Sequence, residues 1–169
     1  MICSLRQALT MIILMGMFAG QAVAQPTLPQ RSITVIPQQG INFGTFCLTG
    51  GAGGTVVIGW NGDRSATGSI ALLMMDSNAH EAIFAIKLCE GRMVQLTFDS
   101  SVSLNNTKGG TTLVLIPGPT DKGLNGSSFA TNSDCNSITL LRMGGTLRVP
   151  PTALSGNYTG DFGITFNQQ

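Results

Sequence analysis

Catalysis near neutral pH usually draws on an imidazole, an activated thiol or paired carboxylates, and this sequence is thinly supplied with all three. Its single histidine, His80, lies in Asp76-Ser77-Asn78-Ala79-His80-Glu81, so a site built on several imidazoles cannot be assembled. A Ser/His/Asp triad would call for a Gly-x-Ser-x-Gly elbow between a strand and a helix, and no such elbow occurs. His80 therefore reads as an exposed loop residue between two strands. The eight carboxylates are Asp63, Asp76, Glu81, Glu90, Asp99, Asp121, Asp134 and Asp161. A glycosidase needs two of them facing each other across a cleft, but most sit in turns or at strand ends, where turn formation accounts for them.

Four cysteines are present. Cys3 belongs to the N-terminal leader described below, which leaves Cys47, Cys89 and Cys135. An odd number in an oxidising compartment is most simply one disulfide and one spare thiol. No Cys-x-x-Cys or Cys/His spacing supports a metal or redox centre. If strands alternate direction, Cys89 at the end of one strand and Cys135 just before another share a pole, which favours the Cys89–Cys135 pair. Cys47 is then the spare thiol, expected as a buried small apolar side chain. Trp60 precedes Asn61-Gly62 and reads as a hairpin anchor in preference to a sugar-stacking platform. The run Gly50-Gly51-Ala52-Gly53-Gly54 lacks the lysine and following helix of a phosphate loop. Three Asn-x-Ser/Thr tripeptides, at Asn105, Asn125 and Asn157, read as incidental in so polar a chain. No catalytic, cofactor-binding or metal-binding residue is expected.

The elements that hold these residues follow a leader. Arg6, an apolar stretch from Ala8 to Ala19 and a small-x-small end at Ala22-Val23-Ala24 have the order of a secretory signal. The apolar stretch is shorter than the roughly 20 residues that cross a bilayer. Cleavage after Ala24 is expected, with export to the periplasm, cell surface or medium. The chain carries nine basic and eight acidic residues, and Arg6 is the only charge the leader removes. A balance near zero leaves no basic footprint for nucleic acid and no polybasic membrane patch. Charged residues are 10% of the chain, well under the usual quarter or so.

Beyond the leader, period-two alternation dominates and no window keeps a helical repeat. Tyr158, Gly160, Phe162, Ile164 and Phe166 face one way and their neighbours the other, as in one half-buried strand. Phe84, Ile86 and Leu88 form an inward row that Val94, Leu96 and Phe98 answer after Glu90-Gly91, which reads as a hairpin. Thr55 to Trp60 closes at Asn61-Gly62, suited to a type I′ turn, with Ser65 to Leu73 returning beside it. Further strands are expected at Ser32 to Ile36, Ile41 to Phe46, Thr111 to Ile116, Ser137 to Leu141 and Thr146 to Val149. Pro117 to Asn136 reads as a long irregular loop. Short strands parted by Gly, Pro, Asn and Ser clusters predict an all-β antiparallel sandwich. The expected division is residues 1–24 as signal, 25–39 as an N-terminal extension and 40–169 as one sandwich domain.

Five segments in order carry a resemblance: Ile41-Asn42-Phe43-Gly44-Thr45, Gly53-Gly54-Thr55-Val56, Ala66-Thr67-Gly68, Gly144-Gly145-Thr146-Leu147-Arg148-Val149-Pro150 and Gly156-Asn157-Tyr158-Thr159-Gly160-Asp161-Phe162. Together they resemble the bacterial domain of unknown function 4402, grouped with pilin- and adhesin-type sandwiches, over about Ile33 to Asn167. The resemblance implies an immunoglobulin-like or pilin-like fold and carries no catalytic residues to transfer. It departs from the pattern in its cysteines and at Arg92-Met93-Val94-Gln95. Pilin-like domains assemble by lending an extended strand to a neighbour's open edge. The extension Gln25 to Gln39, with Ile33 and Val35 on one face, could serve as donor. Gly156, fourteenth from the C-terminus, precedes an alternating strand as in pilin subunits, although the penultimate residue is Gln168 and not an aromatic. The expectation is a non-catalytic exported structural or adhesive surface module, fimbria-like if it assembles by strand addition to itself or to related subunits. The alternative is a monomeric periplasmic or secreted binding module that uses Pro117 to Asn136 as its contact loop.

Overall fold

Alternating side chains commit this chain to sheet, because only a strand places every second residue on one face. The computed structural model describes residues 32–73 and 78–169; the leader and residues 25–31 of the extension lie outside them. Thirteen strands and no helix occur among the described residues. They are β1 (Thr34–Gln39), β2 (Phe46–Leu48), β3 (Gly54–Ile58), β4 (Arg64–Gly68), β5 (Ile70–Leu72), β6 (Ala82–Lys87) and β7 (Met93–Phe98). The rest are β8 (Val102–Asn106), β9 (Thr112–Thr120), β10 (Ser128–Ala130), β11 (Thr139–Val149), β12 (Tyr158–Thr159) and β13 (Ile164–Gln168).

Eight strands form one sheet in the order β1-β6-β11-β9-β8-β12, with the β3–β4 hairpin joined to β11. Against it stand a three-stranded sheet, β10-β7-β13, and a two-stranded ribbon, β2-β5. Every pairing is antiparallel. The expected all-β antiparallel sandwich is thus the observed one. Its core has two parts. In one, Phe84, Ile86, Leu141 and Met143 of the large sheet meet Val94, Leu96 and Phe129 of the small one. In the other, Val56, Ile58, Leu104, Leu113, Leu115, Leu147 and Val149 cluster with Phe43, and Phe46, Leu48, Ile70 and Leu72 pack against them.

The central strand differs from expectation. Two strands were expected around Gly144-Gly145, but β11 runs unbroken for 11 residues. At the glycines it changes neighbour on one side, from β6 to β3, while on its other side the register against β9 shifts between Met143 and Gly145. A Cβ on Gly144 would stand 2.3 Å from the Ile58 carbonyl oxygen. The absent side chain is what lets two partner strands share one edge of β11.

Two other expectations change for a common reason: a row of inward residues fixes the face a strand presents but not its neighbour. The rows on β6 and β7 do not form a hairpin. β6 pairs with β1 and β11, whereas β7 pairs with β10 and β13, so the rows face each other across the core. The connecting residues Glu90 (φ 71°) and Gly91 (φ 62°) are both left-handed. Their amides donate to Ser133 and Asn132 carbonyls at 3.3 and 3.2 Å, which ties the arch to the segment before β11. Likewise the single strand expected from Tyr158 to Phe166 is split: β12 pairs with β8 and β13 with β7.

The β3–β4 hairpin forms as expected, but not through a type I′ turn. Gly62 N–H donates to the Gly59 carbonyl at 3.0 Å, and only Gly62 of the pair has positive φ, at 84°. A type I′ turn needs both. Pro117 to Asn136 is not one long loop, since it contains the end of β9 and all of β10. Ile41 to Phe46 forms only an isolated bridge, Asn42 to His80, before β2 begins.

Cys89 and Cys135 form the disulfide, 46 residues apart in sequence. Closing a loop of that length stabilises the fold by about 4 kcal/mol on the chain-entropy account. Replacing both cysteines with serine should lower the unfolding free energy in urea by about that amount. Gly144→Ala should cost about 2 kcal/mol in the same assay, because the new methyl meets backbone and not a movable side chain.

Candidate functional site

The groups capable of chemistry are mostly engaged in holding loops. Glu81 is buried and ion-paired to Arg142. Asp121 accepts from the Arg142 amide at 2.8 Å and pairs with Lys122 at 3.1 Å. Asp99 accepts from the Gly163 amide at 2.6 Å. Asp134 accepts from the Asn136 amide at 3.0 Å and the Ser137 hydroxyl at 3.1 Å, while Glu90 pairs with Arg92 at 3.0 Å. His80, expected to be exposed, is half-buried, because its backbone bridges to Asn42. The one grouping of three possible metal ligands among the described residues, Cys89, Glu90 and Cys135, includes both disulfide sulfurs.

Two expectations about single side chains are corrected. Cys47 is exposed, not buried. It is the middle residue of β2, whose flanking Phe46 and Leu48 turn inward, so the two-residue period points the thiol outward. Trp60 is 44% exposed within the β3–β4 turn and anchors no core. Ile33 and Val35 pack against the core of their own chain, and β1 is paired to β6 as an edge of the large sheet.

The described residues enclose a groove of about 1200 Å³. One wall is residues 37–48 and the other lies within residues 153–164; Leu104, Leu113, Leu115, Leu147 and Val149 form its floor. A shallower extension of about 400 Å³ continues between Ile33 and Val35 on one side and Ile164 and Phe166 on the other. Pro37, Phe84 and Ile164 belong to both, so the two are one channel. It exists because the layer opposite the large sheet is incomplete. Between β12 and β13 and ahead of β12 the chain carries Ala153, Ser155, Gly156 and Gly160, too small to cover the floor.

Both walls are tied down. On one, the Arg64 guanidinium donates to the Thr45 carbonyl at 2.7 Å and the Leu73 carbonyl at 3.2 Å. Burial lowers its pKa from the ordinary arginine value, yet arginine stays protonated throughout the working range. On the other wall, the Tyr158 hydroxyl donates to the Leu154 carbonyl at 2.7 Å, and the Thr107 amide donates to the Asn157 carbonyl at 2.9 Å. At the channel's edge stands β13, whose only strand partner among the described residues is β7. Sequence reading missed the channel. Its signal is the small residues Ala153, Ser155, Gly156 and Gly160, of which only Gly160 falls within the strand that alternation predicts from Tyr158 to Phe166.

The sequence profile of a family described as a domain of unknown function (DUF4402) matches residues 33–167. No curated protein and no solved structure matches the chain. The exposure of Cys47 gives a direct check: a chain beginning at Gln25, which lacks Cys3, should release one equivalent of chromophore per chain from a disulfide thiol reagent without denaturant. Cys47→Ser should abolish that signal, and a thiol that reacts only after unfolding would contradict the placement.

Proposed function

The chain belongs to the DUF4402 family, and from that membership and the two-layer fold we propose that it is an exported, non-catalytic structural or adhesive subunit that assembles by β-strand addition. The observation that carries this reading is the open channel beside the edge of β13 that no described strand pairs. A strand edge presents a row of main-chain donors and acceptors that pairs readily with another chain, and the apolar floor supplies the side-chain pockets that such recognition uses.

Other features support export. A disulfide suits an oxidising compartment, and the leader pattern supplies a route. No helix among the described residues is long and apolar enough to cross a membrane. Engagement of the carboxylates as loop clamps supports a role through contacts. A second reading, a monomeric binding module, is favoured by the same channel, whose volume is of the order of small-molecule sites. Its contact region would then be the channel and not residues 117–136, where strands occur.

The two readings part on size. Released from cells under non-reducing, non-denaturing conditions, the processed protein should begin at Gln25 and migrate in species larger than one chain. A monomer as the sole species across a wide concentration range would set assembly aside in favour of the binding module.

A further inference from the structure

We infer that the channel receives an extended segment of a different polypeptide, which adds as a strand along Ile164 and Phe166, on the edge of β13 that no described strand pairs, and carries alternating large apolar side chains with a basic residue toward Asp161. The inference rests on the assembly reading above and names its partner by chemistry.

Main-chain direction comes first. In an antiparallel pair each residue turns both its N–H and its C=O to the same side, and successive residues alternate. The Asp99 amide donates to the Gly163 carbonyl at 3.1 Å, and the Gln169 amide donates to the Met93 carbonyl at 3.0 Å. Gly163, Thr165, Asn167 and Gln169 therefore face β7. Ile164 and Phe166 turn their N–H and C=O the other way, along the channel, where no strand lies among the described residues. A lipid chain or an apolar small molecule would fill the floor but leave these groups unmet. A peptide satisfies both.

The side chains set the sequence of that peptide. Every second residue of an incoming strand recurs at about 7 Å, and the floor below is lined by Phe84, Leu104, Leu113, Leu115 and Leu147. Asp161 lines the same channel, is exposed, and has no ion pair among the described residues. It is the only carboxylate among the described residues that line the channel, so charge complementarity calls for Lys or Arg at the end of the strand that reaches it.

A second copy of this chain is a poor source. Ile33 and Val35, the alternating pair of the extension, are packed on their own core. The residues before them, Gln25-Pro26-Thr27-Leu28-Pro29-Gln30-Arg31-Ser32, offer one large apolar side chain, Leu28, and two prolines with no N–H to give. Such a segment meets neither the floor nor the edge.

The test uses the whole processed protein and three peptides, followed by amide hydrogen exchange. The first is an alternating Val/Thr peptide of about ten residues, the upper length of a common strand, ending in Arg. The second is the same peptide N-methylated at every residue whose amide would face β13. The third is this chain's own Gln25–Gln39 segment. The first should slow exchange at the Ile164 and Phe166 amides, and the second should bind about tenfold more weakly through loss of main-chain hydrogen bonds. Asp161→Asn should weaken the Arg-ended peptide and leave a Ser-ended version unchanged. Equal binding of the N-methylated peptide, or no protection by any peptide, would overturn strand addition at this edge. Equal protection by the Gln25–Gln39 segment would make a second copy the donor, overturning this inference while leaving assembly intact.

Discussion

The apolar face of a large sheet has to be removed from water, and here the cover is narrower than the face. Eight strands are opposed by three in one sheet and two in a ribbon. Where β7 and β10 lie over β6 and β11 the core closes, and Val94, Leu96, Leu141 and Met143 are fully buried. Over β8, β9 and the second half of β11 the cover consists of β2, β5 and two irregular segments, which bury Leu113 and Leu115 but leave the channel between them. An apolar trough of that size in water carries a standing hydrophobic penalty. That penalty is the free energy available to whatever fills it.

The mismatch is built from glycine as much as from leucine. At Gly144 the missing side chain lets the β3–β4 turn approach β11, with Trp60 N within 2.9 Å of where a Cβ would stand. One strand can then take both β6 and the β3–β4 hairpin on one edge, and the large sheet widens to its full set without a second central strand. At Gly160 a Cβ would stand 2.8 Å from Leu104 Cδ2. The chain therefore lies close on the floor at Gly160, and between β12 and β13 only Phe162 brings a large apolar side chain to the core. One glycine enlarges the face, and the other withholds cover from it.

Faces were legible in the sequence; neighbours were not. The inward rows of β6 and β7, the hairpin at Asn61-Gly62 and the pole shared by Cys89 and Cys135 all follow from period-two alternation and turn chemistry, which are local. Whether β6 lies beside β7 or opposite it depends on pairings with β1, β11, β10 and β13, distant in sequence. β10 has only three residues, with Phe129 alone buried among them, so no alternation could reveal it. Cys47 shows how finely parity matters. A strand expected to stop at Phe46 assigns no face to the next residue, whereas one running Phe46–Leu48 turns it outward.

The polar residues show why the channel stays open instead of collapsing. The side-chain amide of Gln39 donates to the Glu81 carbonyl at 2.8 Å, and Glu81 is held by Arg142, whose amide is held by Asp121. These bonds fix the end of β1 against β6 and β11. Arg64 fastens Thr45 and Leu73, and Asp99 fastens Gly163 at the start of β13. Apart from the neutral Gln39 bond, each clamp pairs a charged group with a backbone amide or carbonyl, or with an opposite charge, at a point where a channel wall meets a sheet. Charge-assisted bonds of this kind are stronger and more directional than neutral ones. A wall held in this way cannot slide inward to bury the floor without breaking them, so the apolar surface stays open.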